Sequence, residues 1–163
     1  MSTLHHLREL DATNNQIVNI SGVLHSGCLI RIKAGRNEIR TLHFEDTNLQ
    51  RLEELDLSDN IIEEITGLET HPRLCVLNLS NFMQILADRI DTNRLRRFIL
   101  KKMVSRMRVL KLANNQLKTF DGRYVPHLRS LVLDNNKISK FSNLHELKSL
   151  ESFSSCAQRV DNL

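Results

Sequence analysis

Hydrophobic residues recur along this chain in one template. It reads "LRELDATNNQI" from Leu7, "LIRIKAGRNEI" from Leu29, "LEELDLSDNII" from Leu52, "LCVLNLSNFMQ" from Leu74, "MRVLKLANNQL" from Met107 and "LRSLVLDNNKI" from Leu128. A frayed copy, "LESFSSCAQRV", starts at Leu150. The starts lie 22, 23, 22, 33, 21 and 22 residues apart. The first half of each copy alternates with period two, which predicts a short strand: Leu55 and Leu57 inward, Glu54, Asp56 and Ser58 outward. Apolar residues then recur at helix-like or 3₁₀-like spacing, as in Ile62, Ile65 and Leu68, or Ile138, Phe141, Leu144 and Leu147, and predict a return arm that faces the same interior.

A 22-residue period with the consensus L-x-x-L-x-L-x-x-N-x-L is the signature of a leucine-rich repeat. The expected fold is an α/β repeat: a right-handed solenoid with a parallel sheet on its concave face and short helices, 3₁₀ turns and loops on its convex face. Residues 1–163 read as one domain of six to seven repeats, each burying its apolar face on its neighbours. Because terminal units normally need caps and the array begins and stops within repeats, we expect a segment of a larger protein. Asn15, Asn37, Asn60, Asn115 and Asn136 share one register where the chain leaves the strand. An asparagine there can bond backbone groups that the bend leaves without ladder partners, so its role is structural.

The template fails at "LNLSNFMQIL", where Phe82 replaces the asparagine and the next start comes about 11 residues late. Residues 82–106 carry Ile85, Leu86, Ile90, Leu95, Phe98, Ile99 and Met103 at broadly helical spacing, and predict an amphipathic basic helix inserted at 82–106. A competing reading makes "LRRFILKKM" a degenerate repeat starting at Leu95, but only 12 residues would then remain before Met107. The helix could pack its apolar stripe on the convex side, or dock acidic protein, lipid headgroups or another chain through Arg94, Arg96, Arg97, Lys101, Lys102 and Arg106.

Stacked parallel strands turn equivalent positions into ladders. One reads Glu9, Arg31, Glu54, Val76, Val109, Ser130, and the other Asp11, Lys33, Asp56, Asn78, Lys111, Val132. In the first three repeats acid and base alternate, which predicts ion pairs along both ladders. The later repeats offer Val76, Val109 and Val132 with Lys111 among them, a candidate partner-binding patch on the concave face.

Charge sharpens this picture. The net charge is +4, yet residues 82–106 hold seven Arg or Lys against two Asp, so the basicity is local and a nucleic-acid or membrane surface is not expected. The three cysteines, Cys28, Cys75 and Cys156, lie in different repeats without C-x-x-C spacing, so no disulfide framework or zinc site is indicated. No secretory signal precedes the first repeat and no apolar run is long enough to span a bilayer, so an intracellular location is expected. The seven histidines fall in no metal-ligand spacing, and neither a nucleophile elbow nor a Gly-rich phosphate loop occurs. No enzyme, cofactor or small-molecule substrate is expected. The partners predicted are proteins, acidic or phosphorylated.

The stretch "LEELDLSDNIIEEITGLETHPRLCVLNLS" resembles the intracellular class of leucine-rich repeat typified by a regulatory subunit of protein phosphatase 1. More narrowly, "LIRIKAGRNEIRTLHFEDTNLQ" with Ala34 and Phe44, and the closing "ESFS", resemble the repeat domain of fungal spindle pole body scaffolds of mitotic exit and septation, relatives of animal centriolin. The basic stretch at 82–106 departs from that pattern. The resemblance implies a non-enzymatic interaction domain at a spindle pole body or centrosome. Its alternatives are a phosphatase-1-type regulatory subunit and an RNA-associated adaptor.

Overall fold

In the computed structural model, residues 6–81 and 95–158 are described. Among these residues eleven three-residue strands follow one another: β1 (Glu9–Asp11), β2 (Arg31–Lys33), β3 (Thr41–His43), β4 (Glu54–Asp56), β5 (Glu64–Thr66), β6 (Val76–Asn78), β7 (Val109–Lys111), β8 (Thr119–Asp121), β9 (Ser130–Val132), β10 (Lys140–Ser142) and β11 (Ser152–Ser154). Seven of them form one parallel sheet in the order β1-β2-β4-β6-β7-β9-β11, one strand per copy of the template. On the opposite side β3 pairs with β5 and β8 with β10, again parallel. Single 3₁₀ turns at Ser21–Val23, Leu68–Thr70, Gly122–Tyr124 and Leu144–Glu146 lie in four of the return arms. This is the parallel-sheet solenoid that the template predicts, with small strands and 3₁₀ turns in place of convex helices among the described residues.

The core is a set of ladders. Ile32, Leu55, Leu77, Leu110 and Leu131 stack along the middle of the sheet, and Ala34, Leu57, Leu79, Leu112 and Leu133 two residues on; all are buried. At the last strand the ladder surfaces, and Phe153 is half exposed against Phe141 in an edge-to-face pair 6.1 Å apart.

The asparagine ladder acts as the register implies. Asn60 donates from Nδ2 to the carbonyls of Leu57 and Ser58 in its own repeat and Ala34 in the one before, at 2.9–3.1 Å, and its Oδ1 accepts from Ile39 N–H at 3.0 Å. Asn37 and Asn136 repeat this pattern. Gln158 keeps most of it in the seventh copy: it donates to Leu133 and Cys156 carbonyls, takes Ser155 Oγ in place of the third carbonyl, and accepts from Ile138 N–H. The copy that looks frayed in sequence is therefore complete in backbone register. The residue before each of these positions lies in the left-handed region: Asn14, Arg36, Asp59, Asn114, Asn135 and Ala157, with φ between 51° and 60°. Asparagine tolerates that conformation best, which accounts for the repeated Asn-Asn pairs.

The predicted helix at 82–106 is corrected over its described part. Residues 95–106 contain no helix. Leu95, Leu100 and Val104 are buried in the common core, whereas Ile99 and Met103, which a helical stripe would bury, are 60% and 58% exposed. Leu95 carbonyl accepts from Gln116 N–H at 3.1 Å, the bond that Leu117 carbonyl makes with Lys137 N–H at 2.9 Å. Met107 N–H donates to Val104 as Leu74 N–H does to His71 and Leu128 N–H to Val125. Leu95 is therefore the residue two after the consensus asparagine, and neither a helix nor the start of a degenerate repeat. The 12 residues from Leu95 to Met107 are an ordinary return arm, the same length as Ile62 to Leu74. The remainder of the predicted helix, residues 82–94, lies outside the described residues. Return-arm spacing of apolar residues imitates a 3.6-residue period over so short a window, so the two look alike in sequence.

Candidate functional site

On the seven-stranded face the two ladders behave differently in the first three repeats. Arg31 bridges its neighbours, bonding Glu9 through Nη1 and lying 3.4 Å from Glu54 through Nε. Lys33, between Asp11 and Asp56 in register, makes no ion pair among the described residues. Its neighbours turn back on their own chain: Asp11 Oδ1 accepts from Thr13 N–H at 3.0 Å and Asp56 Oδ1 from Ser58 N–H at 2.9 Å. Hydrogen bonds from Thr13 hold the Asp11 carboxyl below its ordinary range, with the Lys33 charge a smaller cause. Ion pairing was expected on both ladders; it holds for the first, while on the second capping of the turn takes precedence.

Strands β6, β7 and β9 bring the predicted patch together. Val76 lies opposite Val109, and Lys111 lies between Asn78 and Val132. The three valines are half-buried and Lys111 is exposed, so these four side chains occupy one contiguous area across strands about 4.8 Å apart.

Beside them runs a groove of about 480 Å³, lined by Ser58, Asn78, Ser80, Asn81, Lys111, Ala113, Asn114 and Asn135. Sequence reasoning assigned only Lys111 to a site there. The others belong to the strand-end turns, and Asn114 and Asn135 take their place through the left-handed turn geometry. Asn81, in the interrupted repeat, is not among the left-handed residues. Its Nδ2 instead reaches the Asn114 carbonyl at 3.4 Å, and Asn114 Nδ2 donates to the Asn81 carbonyl. The turn after β7 cannot be capped by Lys111, and Ala113 N–H bonds Ser80 Oγ of the preceding repeat at 3.0 Å.

Among the described residues, the predicted basic side chains fall into two groups. Arg96, Arg97 and Lys101 line a cleft of about 660 Å³ beside β5, shared with Glu63, Glu64 and Glu69, so carboxylates offset the cations there. Lys102 and Arg106 are exposed and do not line it. Arg94 lies outside the described residues. His71 is a core residue, 1% exposed, with a ring nitrogen 3.0 Å from Thr47 Oγ1 and its ring edge-on to Phe44 at 5.3 Å. Among the described residues no cluster of His, Cys, Asp or Glu is arranged to hold a metal, and no helix is long and apolar enough to cross a membrane.

The stacked ladders and the asparagine register define a leucine-rich-repeat solenoid. Residues 105–148 match the family model described as Leucine Rich repeats (2 copies), a stretch that includes β7 to β10. No curated protein matches the chain. Among solved structures the chain is similar to one in the "Octameric complex of Latrophilin 3 (Lec, Olf), Unc5D (Ig, Ig2, TSP1) and FLRT2 (LRR)", at 20% identity and a TM-score of 0.67. The match covers 96% of this chain and 50% of that one, so this chain spans half the length of its structural neighbour. At that identity the likeness is one of fold.

Proposed function

We propose that this chain is a non-enzymatic protein-interaction domain that binds its partner on the seven-stranded face around Val76, Val109, Lys111 and Val132. The observation that carries the reading is a contrast within one surface. In the first repeats Arg31 is satisfied by Glu9 and Glu54, whereas β6, β7 and β9 place three valines and one uncompensated lysine side by side. Removing water from such valines stabilises a complex by about 25 cal/mol per Å² of apolar surface. The structural neighbour, by its title, is part of a protein complex, which supports protein as the partner class.

The wider assignment rests on the resemblance of the repeats to spindle pole body and centrosomal scaffolds: a signalling scaffold of mitotic exit or septation, intracellular and associated with the cytoskeleton. The test is capture of partners by the tagged chain and by Val109→Asp, with imaging of both at spindle poles. Loss of partners and of polar localisation in Val109→Asp, with the fold intact by circular dichroism, supports the assignment. Partner capture unaffected by Val109→Asp removes the concave-face site. Co-elution with phosphatase-1 catalytic subunit, or RNA affinity falling steeply with salt, would select one of the alternatives.

A further inference from the structure

The groove at Lys111 contains one cation, no carboxylate among its lining residues, and several donors that nothing in the described structure uses. Lys33 is the control that the molecule itself provides. It holds the same register in the second repeat, but its ladder neighbours are Asp11 and Asp56. Lys111 has Asn78 and Val132. A lysine between two carboxylates has its charge balanced locally, and one between an amide and a methyl-bearing side chain has only water and salt to balance it.

The groove walls add hydrogen-bond donors of the right kind. Ser80 Oγ accepts from Ala113 N–H, which leaves its own proton to donate. Ser58 hydroxyl and the Asn135 amide line the same space and have no bond within the described structure. Asn81 and Asn114 complete the floor with neutral amides whose nitrogens are engaged with each other's carbonyls and whose buried Oδ1 atoms have no donor among the described residues.

We propose that this groove is a carboxylate-binding subsite, which takes an aspartate or glutamate side chain of the protein partner, with Lys111 as counter-ion and Ser58, Ser80 and Asn135 as donors. The proposal rests on the concave-face reading above and names the chemistry of the partner there. A single lysine matches a singly charged carboxylate. A phosphoryl group carries about −1.5 to −2 charges and is recognised better by paired guanidinium groups, which the groove lacks.

The test is titration of the full ¹⁵N-labelled chain with three probes: the capped peptide Gly-Gly-Asp-Gly-Gly, its Asn counterpart, and inorganic phosphate. We expect the Asp peptide to shift the Ala113 and Asn114 amides and the Asn135 side-chain amide saturably in the millimolar range. Lys111→Met should weaken this about tenfold, Lys33→Met should leave it unchanged, and the Asn peptide should not saturate. Equal shifts in the Lys111→Met protein, or phosphate saturating where the Asp peptide does not, overturns the proposal. Partner capture lost with Val109→Asp but kept with Lys111→Met refutes the subsite alone and leaves the concave-face reading in place.

Discussion

Deleting residues 82–92 should turn the interrupted repeat into a regular one. The deletion joins Asn81 to Asn93 and produces "LNLSNNRL", the pattern of "LKLANNQL" at residues 110–117. The basis is the position of Leu95: it is buried, and its carbonyl bonds Gln116 N–H as the equivalent residue does elsewhere. Sixteen residues separate Leu79 from Leu95 where five separate Leu57 from Ile62, so the eleven extra residues lie between two points of the core that keep their places. Closing a segment of 16 residues costs more chain entropy than closing one of five, by (3/2)RT ln(16/5), or about 1 kcal/mol. The shortened chain should therefore be at least as stable as the parent, and more stable by about that amount if the removed residues make no net contribution. Urea unfolding followed by circular dichroism measures it: a higher midpoint with an unchanged slope is expected. Amide exchange should show β6 and β7 as protected as before. A loss of more than about 2 kcal/mol, or loss of protection in β7, would refute the register assigned to Leu95.

Other consequences follow from single side chains. Asn60→Ala strands Ile39 N–H and three carbonyls in the interior and should cost about 2–4 kcal/mol; Asn15→Ala, whose side chain is exposed and bonds only Ala12 and Thr13 carbonyls, should cost under about 1 kcal/mol in the same urea titration. Gly67 has φ of 76°, and a Cβ there would sit 2.5 Å from Glu45 N, so Gly67→Ala should destabilise by more than about 1 kcal/mol, read as a lowered thermal midpoint. Burial depresses the pKa of His71 below its ordinary value near 6.5, so the unfolded chain binds the proton first. Stability from this residue is full above that value and is lost as pH falls from it toward the lowered folded value. His71→Leu, which places at this position the residue type found at Leu49, should flatten the dependence of the urea midpoint between pH 7.5 and 5.5, and an unchanged slope would contradict the assignment.

The repeat register was legible because it is written by side chains whose role is local. Each strand leucine and each turn asparagine answers to its own repeat and its nearest neighbour, so the alignment of the sequence on itself also gives the sheet register, down to Glu9 opposite Arg31 and Val76 opposite Val109. The return arms were less legible. Leu95, Phe98, Ile99 and Met103 imitate a helix because apolar residues three or four apart also occur along a return arm, and because counting forward from Leu74 puts the asparagine position at Phe82. Counting back from Met107 finds Asn93 and Leu95 at the consensus N-x-L spacing, a signal that was present and unused. The seventh copy was undervalued for a related reason: Gln158 carries the amide one methylene further out and still makes the ladder bonds. The groove was not legible at all, since its amides meet across a gap of 33 residues in sequence.

The interruption of the repeat and the candidate site meet at the boundary between the repeats of β6 and β7. At three of the turns the residue ending the strand caps its own chain: Asp11, Asp56 and Asn78 accept from the N–H two residues on. At β7 the strand ends in Lys111, which cannot accept, and the bond is supplied by Ser80 across the repeat boundary. That boundary is where Asn81 leaves the left-handed conformation and exchanges amide bonds with Asn114. Asn115, next along, keeps its three carbonyl contacts, but its buried Oδ1 has no partner; by register the N–H that would serve belongs to Leu95, where the chain rejoins the template. A repeat protein departs from its own consensus at a cost of this kind, and such departures concentrate where a surface is used. Here they lie beside a lysine whose ladder neighbours are Asn78 and Val132, next to Val76 and Val109 on the two strands that flank the inserted residues.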